Sequence, residues 1–137
     1  MDTFFLFISQ NLIAVALLLF TIVALIIYEG RKGGTKLDPT QATRMMNKEG
    51  ALVVDLRPLA EFSSGHIAGS INVQPDKVEQ HLVSIKHSKE TPVILVCKTG
   101  SNSKGTGGSL VKAGYLKVNV INGGMMTWES NGMPLSK

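Results

Sequence analysis

From Thr3 to Tyr28 the chain carries no ionisable side chain except the Tyr28 phenol, and that stretch limits the possible architectures more than any other feature. Between Leu12 and Tyr28 the only other clearly polar side chain is Thr21. At a rise of about 1.5 Å per residue this segment makes about 25 Å of helix, and the preceding FFLFI carries it past the roughly 30 Å of a hydrocarbon layer. One membrane-spanning helix is therefore expected within residues 1–28. A helix buried in a soluble core is seldom apolar all round over such a length. A cleaved secretory signal would open on basic residues and close on a small-residue cleavage site; here the start is MDTFF, and YEGRKGG follows the apolar segment.

Charge gives the expected anchor a direction. All 14 Lys and Arg lie beyond Tyr28, and Arg31, Lys32 and Lys36 follow the apolar run directly. Positive charge marks the side retained in the cytoplasm, so the amino terminus is expected outside and residues 29–137 inside. There Cys97, the only cysteine, meets a reducing environment and has no disulfide partner in the chain. A zinc knuckle is excluded, because no second Cys exists and His66, His81 and His87 lack ligand spacing. The net charge of +4 is scattered, without the basic stripe interleaved with aromatics that nucleic-acid binding favours. A solvated basic surface beside anionic lipid headgroups accounts for it more simply.

The soluble part reads as one domain, residues 38–137, behind a flexible tether over residues 29–37, whose GRKGGTK holds little to bury. LDPTQ opens a helix: Asp38 caps, Pro39 takes the first helical position and Gln41 completes a capping box, while Gly50 closes it. ALVVDL is a short Val-rich run and reads as a buried strand. A helical turn follows near Leu59 to Phe62, then a brief strand near Ser70 to Val73 and an amphipathic helix in DKVEQHLVSIKH. TPVILVC is the most apolar strand; a helix over about Asn102 to Ala113, a strand in LKVNVING and a final turn in GGMMTWES complete the order. Strands alternating with helices imply an α/β fold, a three-layer sandwich with a central, mostly parallel sheet.

In such sheets ligands sit where strand carboxyl ends meet helix amino termini, and Cys97 stands at such a place. The six residues CKTGSN, centred on Gly100, can wrap so that backbone N–H groups converge, backed by the positive end of a helix dipole. Such surroundings favour thiolate over thiol. A lone cysteine is equally at home as a small buried side chain, and strand-loop-helix context by itself leaves both readings open.

DLRPLAEFSSGHIAGSIN, from Asp55 to Asn72, resembles the amino-terminal signature of the rhodanese family: a D-x-R, an E-F or E-Y, a G-H-I-x-G-[AS] and an N. VCKTG is similar to the family's sulfur-carrying loop, VINGGMMTW to its closing G-G-x-x-x-W, and NGMPL extends the match to Leu135. The resemblance implies a rhodanese-like sandwich and a sulfurtransferase chemistry. Cys97 would be the nucleophile that accepts a sulfane sulfur from thiosulfate or a persulfide and passes it to a thiol or other thiophilic acceptor. The backbone of Lys98, Thr99, Gly100, Ser101, Asn102 and Ser103 would hold the terminal sulfur. No metal or organic cofactor is implied. A single domain of this kind behind one membrane helix resembles a bacterial inner-membrane arrangement, with the lipid bilayer as a partner.

Elementary chemistry gives other matched residues supporting tasks: Asp55 and Arg57 an ion pair that orients the loop, His66 a bond to loop carbonyls, Trp128 core packing. The loop also departs from the family's C-R-x-G-x-R. Lys98 keeps a charge without the fork geometry, and Asn102 keeps only neutral hydrogen bonding, so a dianionic donor should be held weakly. The related cysteine phosphatases carry C-x5-R; Ser103 stands where that arginine would be, which argues against phosphate ester hydrolysis. The missing arginines also sustain the alternative of a weak or inactive module that binds another membrane protein. Gly105, Gly107 and Gly108 are expected to soften the helix after the loop, each by about 1 kcal/mol relative to Ala.

Overall fold

The computed structural model describes residues 1–31 and 33–137, and it divides into two compact units, Met1–Arg31 and Lys32–Lys137. Lys32, placed by sequence in the tether and the flanking cationic cluster, lies outside the described residues.

The first unit is two helices, α1 (Asp2–Gln10) and α2 (Leu12–Arg31), bent by 85° where they meet. The polar run Ser9-Gln10-Asn11 interrupts the apolar sequence there. Asn11 leaves the helical region with φ −122° and ψ 36°, and its side-chain amide donates to the Phe7 carbonyl at 2.9 Å. That bond satisfies a carbonyl exposed by the break, a competition with the backbone for which Asn is well suited. The single spanning helix expected over residues 1–28 is thus corrected to a bent pair. Among the described residues no helix is by itself long and apolar enough to cross a membrane, and the pair meets those criteria only when taken together. Within α2 the Thr21 hydroxyl donates to the Leu17 carbonyl at 2.8 Å, so its one polar group in the apolar stretch is internally satisfied.

The second unit is built on five parallel strands in the order β1-β5-β4-β2-β3, namely β1 (Thr35–Leu37), β2 (Leu52–Asp55), β3 (Ile71–Asn72), β4 (Val93–Val96) and β5 (Val118–Ile121). The central strand β4 is buried at every position, which is why its sequence is a continuous apolar run rather than an alternating one. Side chains still alternate between faces. Ile94 and Val96 join Leu37, Val53 and Ile121 under α3 (Pro39–Glu49) and α7 (Gly124–Ser130). Val93 and Leu95 join Val54, Val118 and Val120 under α5 (Val78–Ser84) and α6 (Ser101–Lys112). The three-layer sandwich is as expected, and the sheet is parallel throughout. Helix α4 (Leu59–Ser64) and a 3-10 turn (Pro75–Lys77) complete the crossover segments.

Helix α3 starts where its caps place it: Asp38 accepts from the Gln41 amide at 2.7 Å, Gln41 accepts from the Asp38 amide at 3.0 Å, and Gly50 ends the helix in the left-handed region. A cap of this kind stabilises by about 1 kcal/mol. The tether boundary needs correction. Thr35–Leu37, assigned to a linker over residues 29–37, pair with Asn119–Ile121 as β1, and Gly33 and Gly34 are buried before it. Three residues carry no strand signal of their own; the open edge of β5 supplies the hydrogen bonds that order them.

Candidate active site at the end of the central strand

Cys97 follows β4 directly and is 3% exposed. Gly100 turns the chain with φ 95°, a conformation glycine adopts without steric cost, and α6 begins at Ser101, one residue earlier than expected. The turn brings the Gly100 N–H to the Cys97 sulfur at 2.9 Å. Asn102 and Ser103 then lie in the first turn of α6, where backbone N–H groups have no partner within the helix. Burial pushes the Cys97 thiol up, but the Ser103 hydroxyl and the amides of Ser103, Gly100 and Asn102 more than offset it, so the thiol ionises below its ordinary value.

Of the six loop residues anticipated around the terminal sulfur, three bear on the resting thiol. Gly100, Asn102 and Ser103 act on the thiol. Lys98 is exposed and its ammonium stands 4.0 Å from Glu61 of α4, an open pair that contributes little. Thr99 and Ser101 are also exposed and share a hydroxyl contact at 3.3 Å. Among the described residues no group of three His, Cys, Asp or Glu side chains could hold a metal ion.

Asp55 ends β2, the neighbour of β4, and forms a buried fork with Arg57. The guanidinium donates through Nε at 3.0 and 3.1 Å and through Nη2 at 2.8 Å, and the Arg57 amide adds a bond at 3.0 Å. Burial works against the Arg57 charge, yet the bond to Asp55 and its charge prevail and hold the guanidinium above its ordinary pKa. Nη2 also reaches the Gly65 carbonyl at 2.7 Å, while the Asn72 amide bonds the carbonyls of Asp55 and Arg57 at 3.1 and 2.7 Å. These residues tie the β2 end to the loop after α4. His66 has the carbonyl-satisfying place anticipated for it: Nδ1 lies 2.9 Å from the Phe62 carbonyl, so Nδ1 carries the proton, and the ring stacks on Phe62 at 3.9 Å. Trp128 is 2% exposed in the core and donates to the Pro134 carbonyl at 3.1 Å.

One support escapes residue-type reasoning. Gly123 and Gly124, with φ 77° and 62°, let α7 start hard against the back of the cysteine loop. The amides of Met125 and Met126 donate to the carbonyls of Cys97 and Lys98 at 2.7 and 3.1 Å. A Cβ at Gly124 would run into those same peptide groups. Tying the carbonyls outward is what leaves loop amides to face the sulfur. The signal was the Gly-Gly pair before the last helix, whose reason becomes visible only when that helix is placed beside the loop.

This geometry has known relatives. The model of the rhodanese-like domain family matches residues 38–131. The uncharacterized protein YibN of Escherichia coli K12 is 41% identical over 96 residues, 69% of this chain and 67% of its own. The thiosulfate sulfurtransferase GlpE of Tolumonas auensis is 31% identical over 94 residues, covering 69% of this chain and 87% of that protein. Among solved structures, a rhodanese-related protein from Thermoplasma volcanium superposes with a TM-score of 0.64 at 22% identity, over 74% of this chain and 97% of that one.

Proposed function

Because this chain belongs to the rhodanese-like domain family, we propose that it is a sulfurtransferase that carries sulfur as a persulfide on Cys97. The observation that carries the reading is the bond from the Gly100 amide to a buried sulfur at the amino terminus of α6. The Cys97 thiolate attacks the sulfane sulfur of thiosulfate; an S–S bond forms, the donor S–S bond breaks, and sulfite leaves with the electron pair. Loop amides then hold the anionic terminal sulfur. An acceptor thiolate attacks that sulfur, and Cys97 departs as thiolate, ready for a further cycle. With a persulfide donor the same exchange releases a thiolate instead of sulfite. The exposed Lys98 and the neutral Asn102 favour the persulfide donor, since neither offers a guanidinium fork to a dianion. Treating the purified chain with each donor and recording intact mass tests this. One added sulfur, removed by cyanide and absent from Cys97→Ser, is expected; no adduct with either donor refutes it.

The proposal extends to location. Residues 1–31 anchor the chain in the bacterial inner membrane, amino terminus outside and the catalytic unit in the cytoplasm. Support comes from the bent pair α1 and α2, which meets the length and apolarity criteria for a span when taken together, and from the position of every Lys and Arg beyond Tyr28. A reporter fused after Lys137 should register in the cytoplasm; a periplasmic signal reverses the orientation. One observation favours a second reading, a binding module for a membrane protein with little activity: Lys98, the loop's only cation ahead of α6, faces Glu61 rather than the sulfur.

A further inference from the structure

Residues of α4, the end of β3, the 3-10 turn and α5 line a cavity of about 570 Å³. That size suits a small-molecule site. Its walls combine two apolar side chains, Leu59 and Val73, with four polar ones, Gln74, Lys77, Gln80 and His81. None of the described residues that line it is acidic. Polar side chains that the fold itself uses here are occupied: the Asn72 amide bonds the carbonyls of Asp55 and Arg57, and the Ser84 hydroxyl bonds that of His81 at 2.7 Å. The side-chain polar groups of Gln74, Lys77, Gln80 and His81 have no hydrogen-bond or ion-pair partner among the described residues, although His81 is half-buried. They offer a cation, two carboxamides that both donate and accept, and an imidazole. That set complements a carboxylate beside peptide groups, not a cation or a purely apolar ligand.

Strand register puts this cavity next to the cysteine. Asn72 is level with Asp55, and Asp55 with Val96, so the ends of β3, β2 and β4 stand in one row with Cys97 directly after Val96. Neighbouring strands lie about 4.8 Å apart, which places the end of β3 about 10 Å from that of β4. Helix α4 bridges the gap: Leu59 lines the cavity, and Glu61, two residues on, meets Lys98 of the cysteine loop at 4.0 Å. The turn that carries Lys77 packs against α6, the helix into which the same loop leads. An extended peptide of three residues spans about 10 Å, so its thiol can reach the loop while its terminal carboxylate stays at Lys77.

We propose that this cavity holds the non-reacting end of the sulfur acceptor, and that the acceptor is a small peptide thiol with a free carboxylate. The carboxylate pairs with Lys77, the peptide groups meet Gln74, Gln80 and His81, and the aliphatic part lies on Leu59 and Val73. The assignment rests on the sulfurtransferase reading for its purpose. The bound thiolate attacks the outer sulfur of the Cys97 persulfide; the S–S bond to Cys97 breaks, its electron pair stays on Cys97, and the acceptor leaves as a persulfide anion. Holding the far end of the acceptor makes that attack effectively intramolecular.

Binding can be read without transfer. Calorimetric titration of S-methylglutathione, whose blocked thiol cannot react, into the full chain in detergent should reveal one saturable site. Lys77→Gln should weaken it at least about 3-fold, the size of one exposed ion pair, and esterifying the carboxylates of the probe should weaken it likewise. Lys112→Gln makes the same charge change at an exposed position of α6 outside the cavity and should leave the affinity unchanged. Absence of saturable binding, equal affinity in wild type and Lys77→Gln, or equal weakening by Lys112→Gln overturns the assignment. In turnover with glutathione, Lys77→Gln should raise KM with little change in kcat, while 2-mercaptoethanol, which has no carboxylate to place, should show no change; a KM raised for both acceptors counts against the placement. If the probe binds as expected but the wild-type chain acquires no sulfur from either donor, the peptide site stands and the sulfurtransferase reading falls.

Discussion

Asp55 and Arg57 are buried charges at the end of β2, the strand beside β4, and their fork cancels them where they stand. Arg57→Ala would leave a fully buried carboxylate without a counter-ion, a loss of about 3–5 kcal/mol in a urea melt. A loss below about 1 kcal/mol would show the pair to be dispensable. Cys97 is the opposite case, a site where charge is favoured by neutral donors. Its thiol ionises below the ordinary value, so the folded chain gives up the proton before the unfolded chain does. Stability relative to Cys97→Ser should then be flat at acid pH, rise as pH climbs between the folded and unfolded thiol pKa, and level off above the unfolded one. Thermal melts of the two chains over a pH series check the sign. Donor choice is also decided by single residues. Asn102→Arg places a guanidinium in the first turn of α6 and should raise kcat/KM for thiosulfate at least about 10-fold, with a smaller effect on a persulfide donor.

At the scale of elements, the glycines of α6 separate helix propensity from packing. Gly105 has open space at its Cβ position, so Gly105→Ala should stabilise by about 1 kcal/mol. Gly107→Ala has the same propensity gain, but its Cβ would collide with the Gly33 carbonyl as the chain enters β1. Overpacking against backbone costs about 1–3 kcal/mol, so the net sign should reverse. Thermal melting of the two variants decides it, and equal stabilisation by both would mean that the segment before β1 does not pack there. Helix α6, whose glycines are expected to soften it, runs from Ser101 to Lys112, and at Gly107 a neighbour leaves no room for a side chain. Gly124→Ala belongs with this group. It should lower stability by about 1–3 kcal/mol and slow Cys97 alkylation, since α7 could no longer close on the loop carbonyls.

Across the whole molecule, residues 32–137 enclose two core clusters, one on each face of the sheet, while large apolar side chains of residues 1–31, Phe20 and Ile26 among them, are exposed. Expressed alone, the second unit should fold and stay in solution, and the full chain should sediment with membranes; a full chain recovered in the soluble fraction would refute the anchor. Much of this organisation follows from local pattern. The apolar β4 run, the capping box of α3, the place of Cys97 at a strand end and the parallel α/β class are legible because period, caps and turn residues act over a few neighbours. Other features were decided only by tertiary structure. Thr35–Leu37 became a strand because β5 offered an open edge, and Gly123-Gly124 matters because α7 meets the cysteine loop. Each depends on groups distant in the chain, and a sequence records which groups exist but not which of them the folded chain brings together.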